Sequence, residues 1–218
     1  MKKWMIVMTS LVLSVPAFAQ YGRPSYYGEQ SRGRAIVQHE VYYGLRLGVG
    51  FATVNSDDKK LDGGSLKAGL DVGAVIGVQL GYRSPLFFEA GLLYIEKGGK
   101  GSFDGKKFTY SLDYMELPLV LKYRIDMDGM FSIQPFLGGY IALGVGGKIK
   151  DFGNRAAYSS FDDDAFKRFD GGIRIGCGVQ YDFLYAELGY DFGLANISHD
   201  YFDSSHTGTL FATIGANF

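Results

Sequence analysis

The sequence predicts an all-β fold: an eight-stranded antiparallel transmembrane β-barrel of the outer-membrane type, preceded by a cleaved signal peptide. Three observations carry that prediction. Residues alternate between apolar and small-or-polar almost without break from residue 41 to residue 218. The connections between the alternating segments are short and long in turn. Aromatic residues cluster near both ends of the apolar faces.

The N-terminus reads differently from the rest. "MKKWMIVMTSLVLSVPAFAQ" supplies Lys2 and Lys3, an apolar run from Met5 to Val15, and a small-x-small site at Ala17–Ala19. The expectation is a signal peptide over residues 1–19 and a mature chain from Gln20. An N-terminal membrane anchor is the competing reading, but the apolar run is short for a span. Without the two lysines, 20 basic residues face 23 acidic ones, a net charge near −3 that leaves no nucleic-acid footprint. Cys177 is the single cysteine, so no intramolecular disulfide framework exists. No later segment holds 18 uncharged apolar residues, which excludes a helical membrane protein. Residues 20–40, rich in Tyr, Gly, Arg and Ser, predict a flexible periplasmic leader.

Residues 41–218 form the predicted barrel domain. In "FDGGIRIGCGVQYD", one face carries Phe169, Ile173, Ile175, Cys177, Val179 and Tyr181. The other carries Asp170, Arg174, Gly176, Gly178, Gln180 and Asp182. That is period two over the length of a strand. The same split predicts strands at about 41–53, 71–83, 86–97, 107–124, 131–147, 166–182, 184–193 and 208–218. The 32 glycines among 16 tyrosines and 17 phenylalanines suit a tightly curved sheet.

Ser84–Pro85, Asp126–Gly129 and Asp182–Phe183 predict tight turns. Polar loops are expected at about 54–70, 98–106, 148–165 and 194–207. Short turns at one end and long loops at the other describe an outer-membrane barrel, and an even strand number puts both termini on the periplasmic side. Tyr82, Tyr123, Tyr181 and Phe218 are expected in an aromatic belt at the short-turn end. Phe51, Tyr94, Phe169 and Phe192 are expected in a second belt near the long loops. From Val72 to Tyr82 a tilted strand rises roughly 23 Å, close to the height of an outer-membrane apolar band.

"YMELPLVLKY", Tyr114 to Tyr123, resolves a conflict on this frame. Met115, Leu117, Leu119, Leu121 and Tyr123 face lipid, so Glu116, Pro118, Val120 and Lys122 face the interior. Expected company for Glu116 in the lumen is Arg46, Arg83, Lys122 and Arg174, with Glu89, Glu187, Asp191 and Asp170. Eight strands leave room for side chains only, so the lumen is read as packed and tied by salt bridges rather than as a channel. Pro118 lacks a ladder donor, and a bulge is expected there.

The same stretch, together with "FFEAGLLYIEKGGKG" (Phe87–Gly101), resembles the PorT-like outer-membrane β-barrel family of Bacteroidetes-type bacteria. The resemblance rests on Glu116, Pro118, Lys122 and Tyr123, preceded by Lys97 and Gly98, and it covers most of the chain by layout but about 40 residues by motif. It implies a Gram-negative outer-membrane barrel, and for function it hints at an accessory of protein secretion through the type IX system. The closing "FATIGANF", ending on Phe218, looks like the signal read by the barrel-assembly machinery.

Candidate chemistry is sparse. His199–Asp200 with Ser204, Ser205 and His206 raise a barrel hydrolase or acyltransferase, against the plain reading of a polar loop. Asp162–Asp164 raise a divalent-cation contact, against a solvated acidic tip. Asp57, Asp58 and Asp62 lack the spacing of an EF-hand, and Gly144–Lys148 lack the spacing of a phosphate loop. Lys97, Lys100, Lys106 and Lys107, assigned to the second loop, are candidates for contact with anionic lipid phosphates. No catalytic, cofactor-binding or metal-ligating set is assigned. The expected partners are outer-membrane lipids and lipopolysaccharide, the assembly machinery during insertion, and a secretion-complex partner; the expected role is structural or surface interaction. A soluble eight-stranded barrel of the lipocalin kind is the alternative fold, and it would reverse the apolar and charged faces.

Overall fold

A computed structural model describes residues 39–56, 66–81, 83–103, 106–127, 130–150, 158–159, 168–195 and 205–218. Eight long strands build the barrel: β1 Val41–Ser56, β2 Lys67–Gln79, β3 Leu86–Phe103, β4 Lys106–Tyr123, β5 Phe131–Gly146, β6 Phe169–Tyr181, β7 Leu184–Gly193 and β8 Ser205–Asn217. Each pairs antiparallel with the next. β8 returns to β1 from Gly44↔Asn217 to Ser56↔Ser205, which closes the sheet. Closure gives every barrel strand a partner on both sides, the condition for spanning a membrane with strands. No helix occurs among the described residues.

The two faces settle which side meets lipid. Along β1, Val41, Tyr43, Leu45, Leu47, Val49 and Phe51 are exposed, while Tyr42, Arg46 and Ala52 are buried. β6 repeats this, with Ile173, Ile175 and Val179 outside and Asp170 and Arg174 inside. Large apolar side chains cover the outside and charges fill the inside, the reverse of a water-soluble barrel. The lipocalin alternative therefore falls.

Strand limits differ from expectation most at β2, which runs from Lys67 to Gln79 rather than over 71–83, and at β3 and β4, while β1 and β8 each extend three residues into expected loops. β2 ends at Gln79, whose N–H donates to the Glu40 carbonyl at 2.8 Å and whose side-chain amide donates to the Ser84 carbonyl at 2.8 Å. Leu80 N–H still donates to the Leu86 carbonyl at 2.8 Å, and the chain turns at Gly81 and Arg83, both at positive φ. β3 and β4 instead run well past the barrel, pairing from Leu86↔Tyr123 to Phe103↔Lys106. The stretch expected as a loop at 98–106 is thus a paired hairpin. Two short strands continue its sheet: Lys148–Lys150 pairs with β4 at Thr109 and Tyr110, and Tyr158–Ser159 pairs with Lys148 and Ile149. A third short strand, Ile125–Asp126, pairs with Ile133 and Ser132 of β5.

No bulge forms at Pro118. Its register with Tyr140 on β5 is regular, and the irregularity in that ladder lies at Asp113/Tyr114. On the β3 side, Ala90↔Leu119 and Leu93↔Glu116 keep one register, and the pairing is interrupted at Pro118 and Leu117 between them. The missing N–H costs ladder bonds without shifting the strand. Gly91 faces the proline; a Cβ there would lie 3.3 Å from Pro118 Cγ.

Candidate functional site

The buried charged side chains among the described residues gather in the lumen. Strand alternation delivers them there: every second residue points inward. They form two groups at different heights.

The first group sits at the short-turn end. Glu89 on β3 is its centre. Arg46 Nη2 lies 3.3 Å from Glu89 Oε2, and Lys122 Nζ lies 2.9 Å from Oε1. The Tyr42 hydroxyl donates to Glu89 Oε2 at 2.6 Å. Lys122 also donates to Tyr185 Oη at 2.7 Å and approaches Glu187 at 3.5 Å. Glu187 accepts from Tyr185 at 2.9 Å and from Thr213 at 3.2 Å. Arg46 donates to Asn217 Oδ1 at 2.8 Å and stacks 4.0 Å over the Tyr185 ring. Two cations meet two carboxylates, so this end is neutral. Tyr42 and Tyr185 reach these partners by lying across lumen glycines. A methyl on Gly77 would overlap the Tyr42 ring, and one on Gly178 would overlap Tyr185. That close approach accounts for part of the chain's joint wealth of glycine and tyrosine.

The second group sits nearer the long loops. Lys97 Nζ lies 3.0 Å from Glu116 Oε2 and 3.1 Å from Asp170 Oδ2. Arg174 Nη1 lies 2.6 Å from Glu116 Oε1 and 3.6 Å from Asp191 Oδ2. Asp170 also accepts from Thr207 at 2.9 Å and Tyr140 at 3.4 Å. Arg174 packs 3.9 Å over the Phe211 ring, and Lys97 4.3 Å over Tyr140. Asp71 on β2 joins this group, wholly buried, with neither carboxylate oxygen hydrogen-bonded. Two cations here face four carboxylates: Glu116, Asp170, Asp191 and Asp71.

Arg46, Glu89, Glu116, Lys122, Arg174, Glu187 and Asp191 thus meet inside the barrel, and Asp170 with them. Arg83 does not. It stands in the turn after β2 with φ 58° and is exposed, because β2 stops four residues before it. Lys97 requires the opposite correction. Expected on an external loop, it is fully buried at the centre of the second group. Its position was readable: Glu89, Gly91, Leu93, Ile95 and Lys97 share one parity, and only the misplaced strand end hid it. Asp71 has the parity of the lumen-facing residues Gly73, Val75 and Gly77 on β2, yet it is absent from the expected network. Of the expected belt residues, Tyr123, Tyr181, Phe218, Phe51, Phe169 and Phe192 are exposed, and Tyr94 is half-buried. Tyr82 lies outside the described residues.

The remaining candidates do not assemble. His199, Asp200, Ser204, Asp57, Asp58, Asp62 and Asp162–Asp164 lie outside the described residues. Ser205 and His206 are successive residues of the paired strand β8, opposite Ser56 and Asn55. Gly144 to Gly146 complete β5, and no phosphate loop forms there. Among the described residues, no three His, Cys, Asp or Glu side chains close around a common point as a metal cage.

The charged and aromatic side chains of both groups pack against one another and are almost wholly buried. A cavity of ≈ 10 Å³ is bounded by Arg46, Glu89, Pro118, Lys122, Arg174 and Glu187 among others. That is about the room of one water molecule.

Residues 18–199 match the family model described as "Outer membrane protein beta-barrel domain". Similar solved structures include the attachment invasion locus protein Ail of Yersinia pestis, 16% identical, covering 82% of this chain and 99% of that one, with TM-score 0.44. Neisserial surface protein A is 13% identical over 83% of this chain and 99% of that one, with TM-score 0.48. OprG of Pseudomonas aeruginosa is 9% identical over 82% and 95%, with TM-score 0.45. No curated protein matches the chain.

Proposed function

The chain belongs to the outer membrane protein β-barrel domain family, and from that premise we propose a non-enzymatic outer-membrane barrel that acts through its surface. The observation that carries this reading is the filled lumen. Among the described residues seven ion pairs between buried side chains cross the interior, and the cavity they border has a volume of ≈ 10 Å³. No solute of metabolite size enters a cavity of that volume, and no nucleophile–base pair stands open in it among the described residues. The work then falls to the parts outside the bilayer.

Chief among these is the sheet that β3, β4, Lys148–Lys150 and Tyr158–Ser159 build beyond the barrel. It lies at the long-loop end, which faces the cell exterior if both termini are periplasmic. Its sequence is rich in lysine, with Lys100, Lys106, Lys107, Lys148 and Lys150. That composition favours phosphate groups of outer-leaflet lipid and lipopolysaccharide as neighbours. Phe218 at the C-terminus would be read by the assembly machinery during insertion.

A second reading makes the barrel an accessory of protein secretion, as the PorT-like motif implies. The motif residues Glu116, Pro118 and Lys122 are buried in the lumen. They explain a shared barrel interior and say little about cargo. Comparing surface and secreted proteins of cells with and without the gene, by mass spectrometry, separates the two. The surface reading predicts an unchanged set of exported proteins. Selective loss of exported cargo would replace it with the secretion reading.

A further inference from the structure

We propose that the long-loop end of the lumen binds one hard divalent cation between Asp71 and Asp191. The argument starts from charge. At the short-turn end Arg46 and Lys122 balance Glu89 and Glu187. At the other end Lys97 and Arg174 face Glu116, Asp170, Asp191 and Asp71, all 5% exposed or less. Among the described residues an excess of two negative charges is left in a medium that penalises one. Water satisfies hydrogen bonds but cannot cancel this charge; one divalent cation does.

The polar atoms agree in kind and place. Both oxygens of Asp71, both of Asp191 and the Thr209 hydroxyl are buried with no hydrogen-bond partner. Asp191 and Thr209 are direct cross-strand neighbours in the β7–β8 register. Their side chains therefore stand about 5 Å apart on the same inward face. Asp71 reaches the lumen from β2, paired across the ladder with Gly48 on β1 and Ile95 on β3, and is wholly buried. Thr209 is neutral, so its orphaned hydroxyl is evidence of a missing partner independent of the acidic count. The donor set is oxygen alone, which suits Mg²⁺ or Ca²⁺ rather than a thiolate- or imidazole-seeking metal. Because three carboxylates do not converge, the ion keeps water on its remaining faces, as Mg²⁺ does when held by one or two carboxylates.

The test uses the full mature chain refolded in detergent, stripped with chelator and dialysed against Mg²⁺ or Ca²⁺. Elemental analysis should find one divalent ion per chain, and the ion should raise the unfolding temperature by about 5 °C over choline chloride of equal ionic strength. In Asp71→Asn/Asp191→Asn the ion and the temperature shift should both disappear. Asp71→Asn alone breaks no ion pair, so it folds even if the double variant does not, and it should lose most of the bound ion. A wild-type chain that holds no ion, or variants that hold it as tightly, would overturn the proposal. So would stability that responds to pH and not to the cation, which would assign the two charges to protons. None of these results depends on what the surface sheet contacts.

Discussion

The two ends of the lumen use the same residue types and reach different electrostatic states. At the short-turn end every carboxylate oxygen of Glu89 and Glu187 has a cation, a tyrosine or a threonine against it. At the long-loop end the ion pairs are equally short, yet Asp71 and Asp191 keep orphaned oxygens. The difference teaches that proximity of opposite charges is not the same as balance. Burying a pair is close to neutral; breaking one, or adding an unpaired charge, costs several kcal/mol. The short-turn end is built as a lock between strands β1, β3, β4 and β7. The long-loop end is built with charge to spare.

Substitutions can sharpen that contrast, and because Trp4 is the single tryptophan and none lies in residues 41–218, circular dichroism is the natural readout of unfolding. Glu89→Leu should have the largest effect. It strands Arg46 and Lys122 with one carboxylate between them, and guanidinium unfolding should show a loss of about 3–5 kcal/mol. Gly178→Val should come next. The new side chain displaces Tyr185 from Lys122 and Glu187, and overpacking of this kind costs about 1–3 kcal/mol. Glu116→Gln should cost less than Glu89→Leu although Glu116 also bridges two cations. Asp170 stays on Lys97 and Asp191 on Arg174, so a loss of about 1–2 kcal/mol is expected by the same titration. Asp71→Asn should be smallest, and in chelator its sign should invert: removal of an uncompensated buried charge is expected to leave stability unchanged or raise it by about 1 kcal/mol. If Glu116→Gln proves as damaging as Glu89→Leu, the two ends are not electrostatically different and the comparison fails.

Much of this was legible in the sequence because a barrel strand is a period-two object with little else to specify it. The alternation in Phe169–Asp182 gave both faces of β6 residue by residue. It also placed Glu116 in the lumen before any neighbour was known. What the alternation does not carry is where a strand stops. Arg83 has the parity of an inward residue, but backbone capping at Gln79 ends β2 first. Lys97 has inward parity too, and there the glycines at 98, 99 and 101 read as loop although pairing with β4 continues through them. Closure adds a second blind spot. Asp71, Asp191 and Thr209 belong to strands far apart in sequence, so their charge imbalance exists only once the sheet has closed on itself.

Planar-bilayer recording on the purified, refolded barrel tests the central claim, that the lumen is filled and closed by its charges, most directly. Wild-type protein inserted from detergent into a lipid bilayer in concentrated KCl should give no sustained current steps above the bare membrane. Stable ohmic steps from the wild-type chain would contradict the account, because ions would then be crossing a lumen whose cavity holds no more than about one water molecule.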